Sequence, residues 1–117
     1  MDKQEKMEVI TYHTESGRDP IYEFLSELPA KHLEKILRDI DLLGQCSRNL
    51  REPYAKHLTG PLWELRTKFS TNIYRIIYYI KGGQIVLLHG FVKKTEETPP
   101  GEIKIAKRRY KDWEERA

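Results

Sequence analysis

Arg66, Arg75, Lys93 and Lys94 are the side chains whose types and places suit shared chemistry. The fork of arginine binds phosphate oxygens in pairs, and lysine adds a point charge. Such a set suits the attack of an RNA 2′-hydroxyl on the adjacent phosphorus. That step can proceed without a metal, but it builds a dianionic phosphorane. Positive charge must meet its equatorial oxygens, and the leaving 5′-oxygen needs a proton. A lysine crowded by other cations can also be pushed toward use as a base. Lys56, His57 and Lys68 lie around the same stretch and would hold the RNA. Phe91, with Tyr79 nearby, could stack on a base of single-stranded RNA. His89 alternates with Leu87 and Phe91 on one strand face and could touch RNA, act as an acid or simply pack. Glu64 could be a general base or pair with Arg66 or Arg75, and the pairing role is favoured. On residues alone, an ion pair of this kind explains the arginines as well as a site does.

Other chemistries find little footing. The histidines at 13, 32, 57 and 89 show no metal-ligand spacing, and Cys46 is the single cysteine. No glycine loop cradles phosphate, no serine stands in an elbow motif, and no Cys-His arrangement can be read. No cofactor is expected. One cysteine cannot form an internal disulfide, as in a reducing compartment. The opening MDKQEKMEVI is charged from its second residue and lacks a signal-like run. IYRIIYYI and IVLLHGFV fall far short of a membrane span of roughly 20 residues. A cytoplasmic protein is expected.

The elements that must position these residues can be read in order. The 117 residues suit one domain, 1–117, with no internal repeat or linker. Residues 7–12 are rich in β-branched and aromatic types and predict a strand. Asp19-Pro20 is an N-cap followed by a first-turn proline, predicting a helix over 20–28. A second helix carries the stripe Leu33, Ile36, Leu37, Ile40 and Leu43, with Gly44 as its stop. Strands follow at 62–67, 73–80 and 84–92, the last two joined by Lys81-Gly82-Gly83. Thr98-Pro99-Pro100 opens a final helix with Ile103, Ala106, Tyr110 and Trp113 on one side. The order β-α-α-β-β-β-α predicts an α+β domain, its helices packed on an antiparallel-rich sheet.

Pleating then puts Tyr74, Ile76, Tyr78 and Ile80 on one face and Ile73, Arg75, Ile77 and Tyr79 on the other. Arg66 would emerge beside Arg75, where paired like charges repel and a bound anion brings relief. Charge distribution agrees. Residues 48–94 hold 9 Lys/Arg against 2 Asp/Glu, whereas residues 1–47 hold 6 against 10. A basic middle of this kind attracts polyanions, although a solvated face would account for it too. The basic helix residues Lys104, Lys107, Arg108, Arg109 and Lys111 are offset by Asp112, Glu114 and Glu115. They suit a solvated or partner-facing surface.

Four blocks in order resemble the phage-derived HigB subgroup of the RelE/ParE toxin superfamily. They are Leu58 to Arg66 (LTGPLWELR), Tyr74 to Tyr78 (YRIIY), Leu87 to Thr95 (LLHGFVKKT), and Glu102 to Ala106 (EIKIA) after the prolines. The likeness is strong over about 56–110. It implies a RelE-like fold and an mRNA interferase that cuts the codon in the ribosomal A site. It implies that Arg75 stabilises the phosphate, and that Arg66 with Lys93 and Lys94 completes a cationic cleft. It also implies ribosome and mRNA as partners and a cognate helix-turn-helix antitoxin, with operator DNA bound only through that antitoxin. One departure is Leu62 and Glu64 where such enzymes often carry a lysine. Tyr110 is the candidate for a C-terminal tyrosine that serves some relatives, but its spacing favours packing. The competing expectation is a non-catalytic ParE-like or phage regulatory protein of the same fold.

Overall fold

A computed structural model describes residues 6–117. Residues 1–5, part of the charged opening and of the expected 1–117 domain, lie outside the described residues. The elements run β1 (Glu8–Thr11), α1 (Pro20–Ser26), α2 (Ala30–Cys46), β2 (Ala55–Thr59), β3 (Leu62–Phe69), β4 (Asn72–Lys81), β5 (Gln84–Lys93) and α3 (Pro100–Arg116). A short 3-10 turn, Ser47–Asn49, follows α2. The expected order therefore gains a strand, β2. Its sequence AKHLT has little β-branched character, and it becomes a strand by pairing with β3.

Strand order in the mixed sheet is β1-β5-β4-β3-β2. β1 runs parallel to β5, and the remaining neighbours are antiparallel. Local signals explain the helix starts. Asp19 Oδ1 accepts the Tyr22 N–H at 3.0 Å, with Pro20 in the first turn. Its other oxygen accepts from Thr11 Oγ1 at 2.7 Å, which ties α1 to the end of β1. Gly44 is no stop, because α2 continues through it to Cys46 and ends at Ser47, whose φ is 53°. Gly44 instead lets β1 approach. The Met7 N–H donates to its carbonyl at 3.0 Å, and a Cβ there would lie 3.2 Å from Val9.

Helices cover both faces. Ile21, Ile36 and Leu43 of α1 and α2 pack with Leu65, Tyr74, Ile76, Tyr78, Ile85 and Leu87. Ala106, with Ile103, Tyr110 and Trp113 of α3, packs with Tyr12, Leu62, Ile77, Tyr79, Val86, Leu88 and Phe91. β4 thus sorts its side chains as its alternation predicts. β5 does not alternate throughout, because its register against β4 shifts between Ile77 and Tyr78. Ile77 faces His89 and Tyr78 faces Leu87, so Leu88 is an inserted residue. The bulge separates Leu87, which faces α1 and α2, from Phe91, which faces α3. His89 joins Phe91 there, hydrogen-bonded to Glu102 of α3, so the expected grouping with Leu87 is corrected.

Gly90 marks the closest approach of α1. A Cβ built there would sit 2.5, 2.9 and 3.0 Å from three ring atoms of Phe24. Contact with the base of the ring as well as its edge means that α1 itself must move. Gly90→Ala should therefore destabilise the protein by about 1–3 kcal/mol in urea denaturation. Adding Phe24→Ala should cost less than the two single losses together, and strict additivity would refute the contact.

Candidate functional site

Cross-strand pairing assembles the site. Arg66 of β3 lies directly opposite Arg75 of β4, and Arg75 lies opposite Phe91 of β5. Below them is a row of Lys56, Glu64, Ile77 and His89, and above them one of Lys68, Ile73 and Lys93. Paired residues share a face, so Lys56, Arg66, Lys68, Arg75, His89, Phe91 and Lys93 are brought to the side that carries α3. Lys94 is exposed just past the end of β5. His57 is not brought there. It pairs with Trp63 on the opposite face, with its ring 5.1 Å from the indole and its Nε2 2.9 Å from the Gly60 carbonyl oxygen.

Two neighbouring guanidiniums on paired strands need compensation. Glu64, 0% exposed, supplies a full charge. Its Oε1 accepts from Arg66 Nε at 2.6 Å and its Oε2 accepts from Thr98 Oγ1 at 2.8 Å. The rest comes from the segment between β5 and α3. Arg66 Nη2 donates to the Glu96 carbonyl at 2.5 Å, and Arg75 Nη1 donates to the Glu97 carbonyl at 2.9 Å. The Glu96 carboxylate lies 3.6 Å from both Arg66 and Lys68. Residues 94–98 thus form a strap across the arginine row.

Arg75 is the unusual member. It is 0% exposed, yet its Nε and Nη2 have no hydrogen-bond partner among the described residues. An unsatisfied buried donor costs about 1–3 kcal/mol, and more when the group is charged. Burial pulls its pKa below the usual arginine value, Glu64 opposes that, and Arg66 adds to it. Arg66 is the more open of the two, with its side chain 11% exposed. With Lys35, Arg38, Asp39, Tyr54 and Lys68 it lines a groove of about 470 Å³ beside α2.

The far side of the site is closed by α3. His89 Nε2 lies 2.6 Å from Glu102 Oε1, and His89 Nδ1 lies 3.2 Å from Arg109 Nη1. An arginine can only donate, so Nδ1 accepts and Nε2 carries the proton given to Glu102. Both ring nitrogens are engaged within the protein, and the ring stacks on Phe91 at 5.3 Å. Phe91 is itself buried. Arg109 turns inward to the Leu88 carbonyl, at 2.9 Å. Asp112 pairs with Tyr12 and Arg116, and Glu114 with Tyr79 and Lys81. These acids therefore do not offset the outer face of α3. Lys104, Lys107, Arg108 and Lys111 stay exposed there, without an ion pair among the described residues.

Asp39 is a polar group that the sequence reading passed over. It is buried on α2 and accepts from Thr67 Oγ1 at 2.7 Å. Its spacing from Ile36 and Leu43 already placed it on the apolar stripe.

Two outcomes follow from this geometry. Glu64→Gln removes the charge between two guanidiniums and should lower stability by about 3 kcal/mol in chemical denaturation. A loss below about 0.5 kcal/mol would mean that the strap alone balances the arginines. Burial also holds His89 below its ordinary pKa of 6.5, against the pull of its Glu102 hydrogen bond and with the help of Arg109. Below that value the unfolded chain binds more protons, so stability falls as the pH drops. Melting temperatures should decline from pH 7 to pH 5, and His89→Gln should flatten part of that decline.

The family model for phage-derived Gp49-like proteins (DUF891) matches residues 23–111, from within α1 through most of α3. No curated protein matches the chain.

Proposed function

We propose, from the premise that the chain belongs to the Gp49-like family of phage-derived proteins in the RelE/HigB-like toxin group, that it is a toxin cutting translated mRNA. RelE-type toxins are endoribonucleases. The finer assignment, a HigB-like enzyme acting on the ribosome, draws on the LWELR, YRIIY and LLHGFVKKT blocks. One observation carries it above all. Arg66 and Arg75 stand as direct cross-strand partners on one face, and Arg75 holds idle donors.

In the proposed reaction a 2′-hydroxyl oxygen attacks the adjacent phosphorus. The P–O2′ bond forms and the P–O5′ bond breaks, leaving a 2′,3′-cyclic phosphate and a free 5′-hydroxyl. The attacking hydroxyl gives its proton to a base, and the leaving oxygen takes one from an acid. Arg75 and Arg66 would meet the charge on the phosphorane oxygens. Lys93 and Lys94 would complete the cationic set, and Lys56 and Lys68 would guide the RNA backbone. Glu64, bonded to Arg66 Nε, aligns that guanidinium. His89, with both nitrogens engaged, positions Phe91 by stacking.

The proposal extends to a cytoplasmic site of action, to ribosome and mRNA as partners, and to a helix-turn-helix antitoxin. The exposed cations on the outer face of α3 are a suitable surface for one of these partners. The sealing of Arg75 favours the other reading, a non-catalytic binding protein of the same group. Mapping mRNA 5′ ends after induction separates the two, because cuts inside translated codons require the nuclease. Arg75→Ala should remain folded and lose about 10²–10³ in cleavage rate, with Arg75→Lys falling between. A folded alanine variant that cuts as fast as the parent would remove Arg75 from the site.

A further inference from the structure

We infer that the strap, residues 94–98, is a built-in competitor for the RNA phosphodiester. In this state it occupies the arginine row with its own oxygens and lifts when RNA binds. The inference rests on the reading of Arg66 and Arg75 as the phosphate site and adds how that site is controlled.

The strap's contacts are those an anion would make. Two of its carbonyl oxygens, from adjacent residues, meet Arg66 and Arg75. The Glu96 carboxylate adds negative charge toward Arg66 and Lys68. The match is incomplete. Arg75 keeps Nε and Nη2 without partners among the described residues, although nothing of its surface reaches water. A guanidinium held this way can gain from exchanging one carbonyl for a phosphate, whose charged oxygens can meet two of its donors at once. The strap is also lightly held on the far side. Glu96 and Glu97 are exposed, and the Thr98 hydroxyl on Glu64 is its remaining side-chain bond to the sheet among the described residues.

Thr98 couples strap closure to Glu64. While the strap is closed, both Glu64 oxygens are engaged, one by Arg66 and one by Thr98. Lifting it releases Oε2, an acceptor on the strand beside Arg75, as it uncovers the guanidiniums. One movement thus opens the anion site and frees a carboxylate oxygen next to it.

When only a fraction of molecules is open, apparent affinity falls by that fraction, so loosening the strap must tighten binding. The probe is a short single-stranded RNA with 2′-O-methyl groups, which it binds but cannot cut, read by fluorescence anisotropy. Thr98→Val leaves net charge unchanged and strips Glu64 Oε2 of its partner. It should bind the probe about three- to tenfold more tightly than the parent. Glu96→Gln should do likewise and exceed Glu97→Gln, which makes the same charge change at a carboxylate without a contact to the arginines. Backbone amides of 94–98 should exchange faster when the probe is bound. Thermal melting confirms that each variant is folded, and Glu96→Gln carries the comparison should Thr98→Val be unstable. Equal affinity in parent and loosened variants, or equal gains from Glu96→Gln and Glu97→Gln, overturns the strap. So does unchanged exchange on binding. Cleavage in a translating extract is scored separately. A tighter-binding Thr98→Val together with a parent that cuts no message sinks the nuclease and keeps the strap, whereas a parent that cuts with an inert strap does the reverse.

Discussion

Two positive charges fixed opposite each other on neighbouring strands are the constraint around which this end of the molecule is organised. The register of the β3–β4 hairpin leaves no freedom, since Arg66 must face Arg75 as surely as Leu65 faces Ile76. Sliding the pair apart by one residue would turn one strand over, taking Leu65 of β3, or Tyr74 and Ile76 of β4, off the core face that meets α1 and α2. The hydrophobic core on the α1/α2 side thereby locks the guanidiniums together on the α3 side. Their repulsion must then be met locally. Glu64 is the one acidic side chain of β3, and it sits two residues before Arg66 on the same face, where it can bond Arg66 Nε at 2.6 Å.

The placement of α3 follows from the same division. Its apolar side, Ile103, Ala106, Tyr110 and Trp113, is matched to Tyr12, Tyr79, Val86 and Leu88. Its acids are drawn to polar groups of the sheet, Glu102 to His89 and Glu114 to Tyr79. Both attractions pull the helix over β5 and the end of β4, away from the arginine row. The prolines at 99 and 100 then fix where the helix can begin. What remains to cover Arg66 and Arg75 is the irregular stretch between β5 and the helix. The strap is thus a consequence of where α3 finds its partners.

Much of this was legible in the sequence, and the exceptions share a cause. The α2 stripe, the Asp19 cap and the pleat of β4 are local signals, and local signals survive into the fold. Alternation alone placed Arg66 beside Arg75. Three features depended on a pairing or packing partner rather than on the residue types of the segment itself. AKHLT at 55–59 becomes a strand through β3, and the Leu88 bulge exists only in the pairing of β4 with β5. Gly44, a plausible helix stop by residue type, is used for the approach of Val9. Burial of Arg75 was the hardest to foresee, because the groups that seal it include main-chain carbonyls. Every residue carries one, so a carbonyl leaves no mark in the sequence. Asp39 is different, since its place on the α2 stripe was there to be read.

The same distinction bears on how an anion site can be kept silent without being destroyed. A carboxylate aimed at each arginine would neutralise the row, but it would compete with RNA on equal electrostatic terms. A carbonyl carries only a partial charge, and hydrogen bonds from a guanidinium to a charged oxygen are roughly twice as strong as those to a neutral one. On the proposed reading, the strap's single carbonyl on Arg75 would be too weak a partner to hold it against a phosphodiester. Its one carboxylate in contact, Glu96, is directed at the more open Arg66 and Lys68, at the long separation of 3.6 Å. Strong neutralisation comes from Glu64, which sits within the sheet and not on the strap. Fixed charge on the strands and weak dipoles on the loop would, on the proposed reading, let the cations keep their alignment whether the site is covered or open.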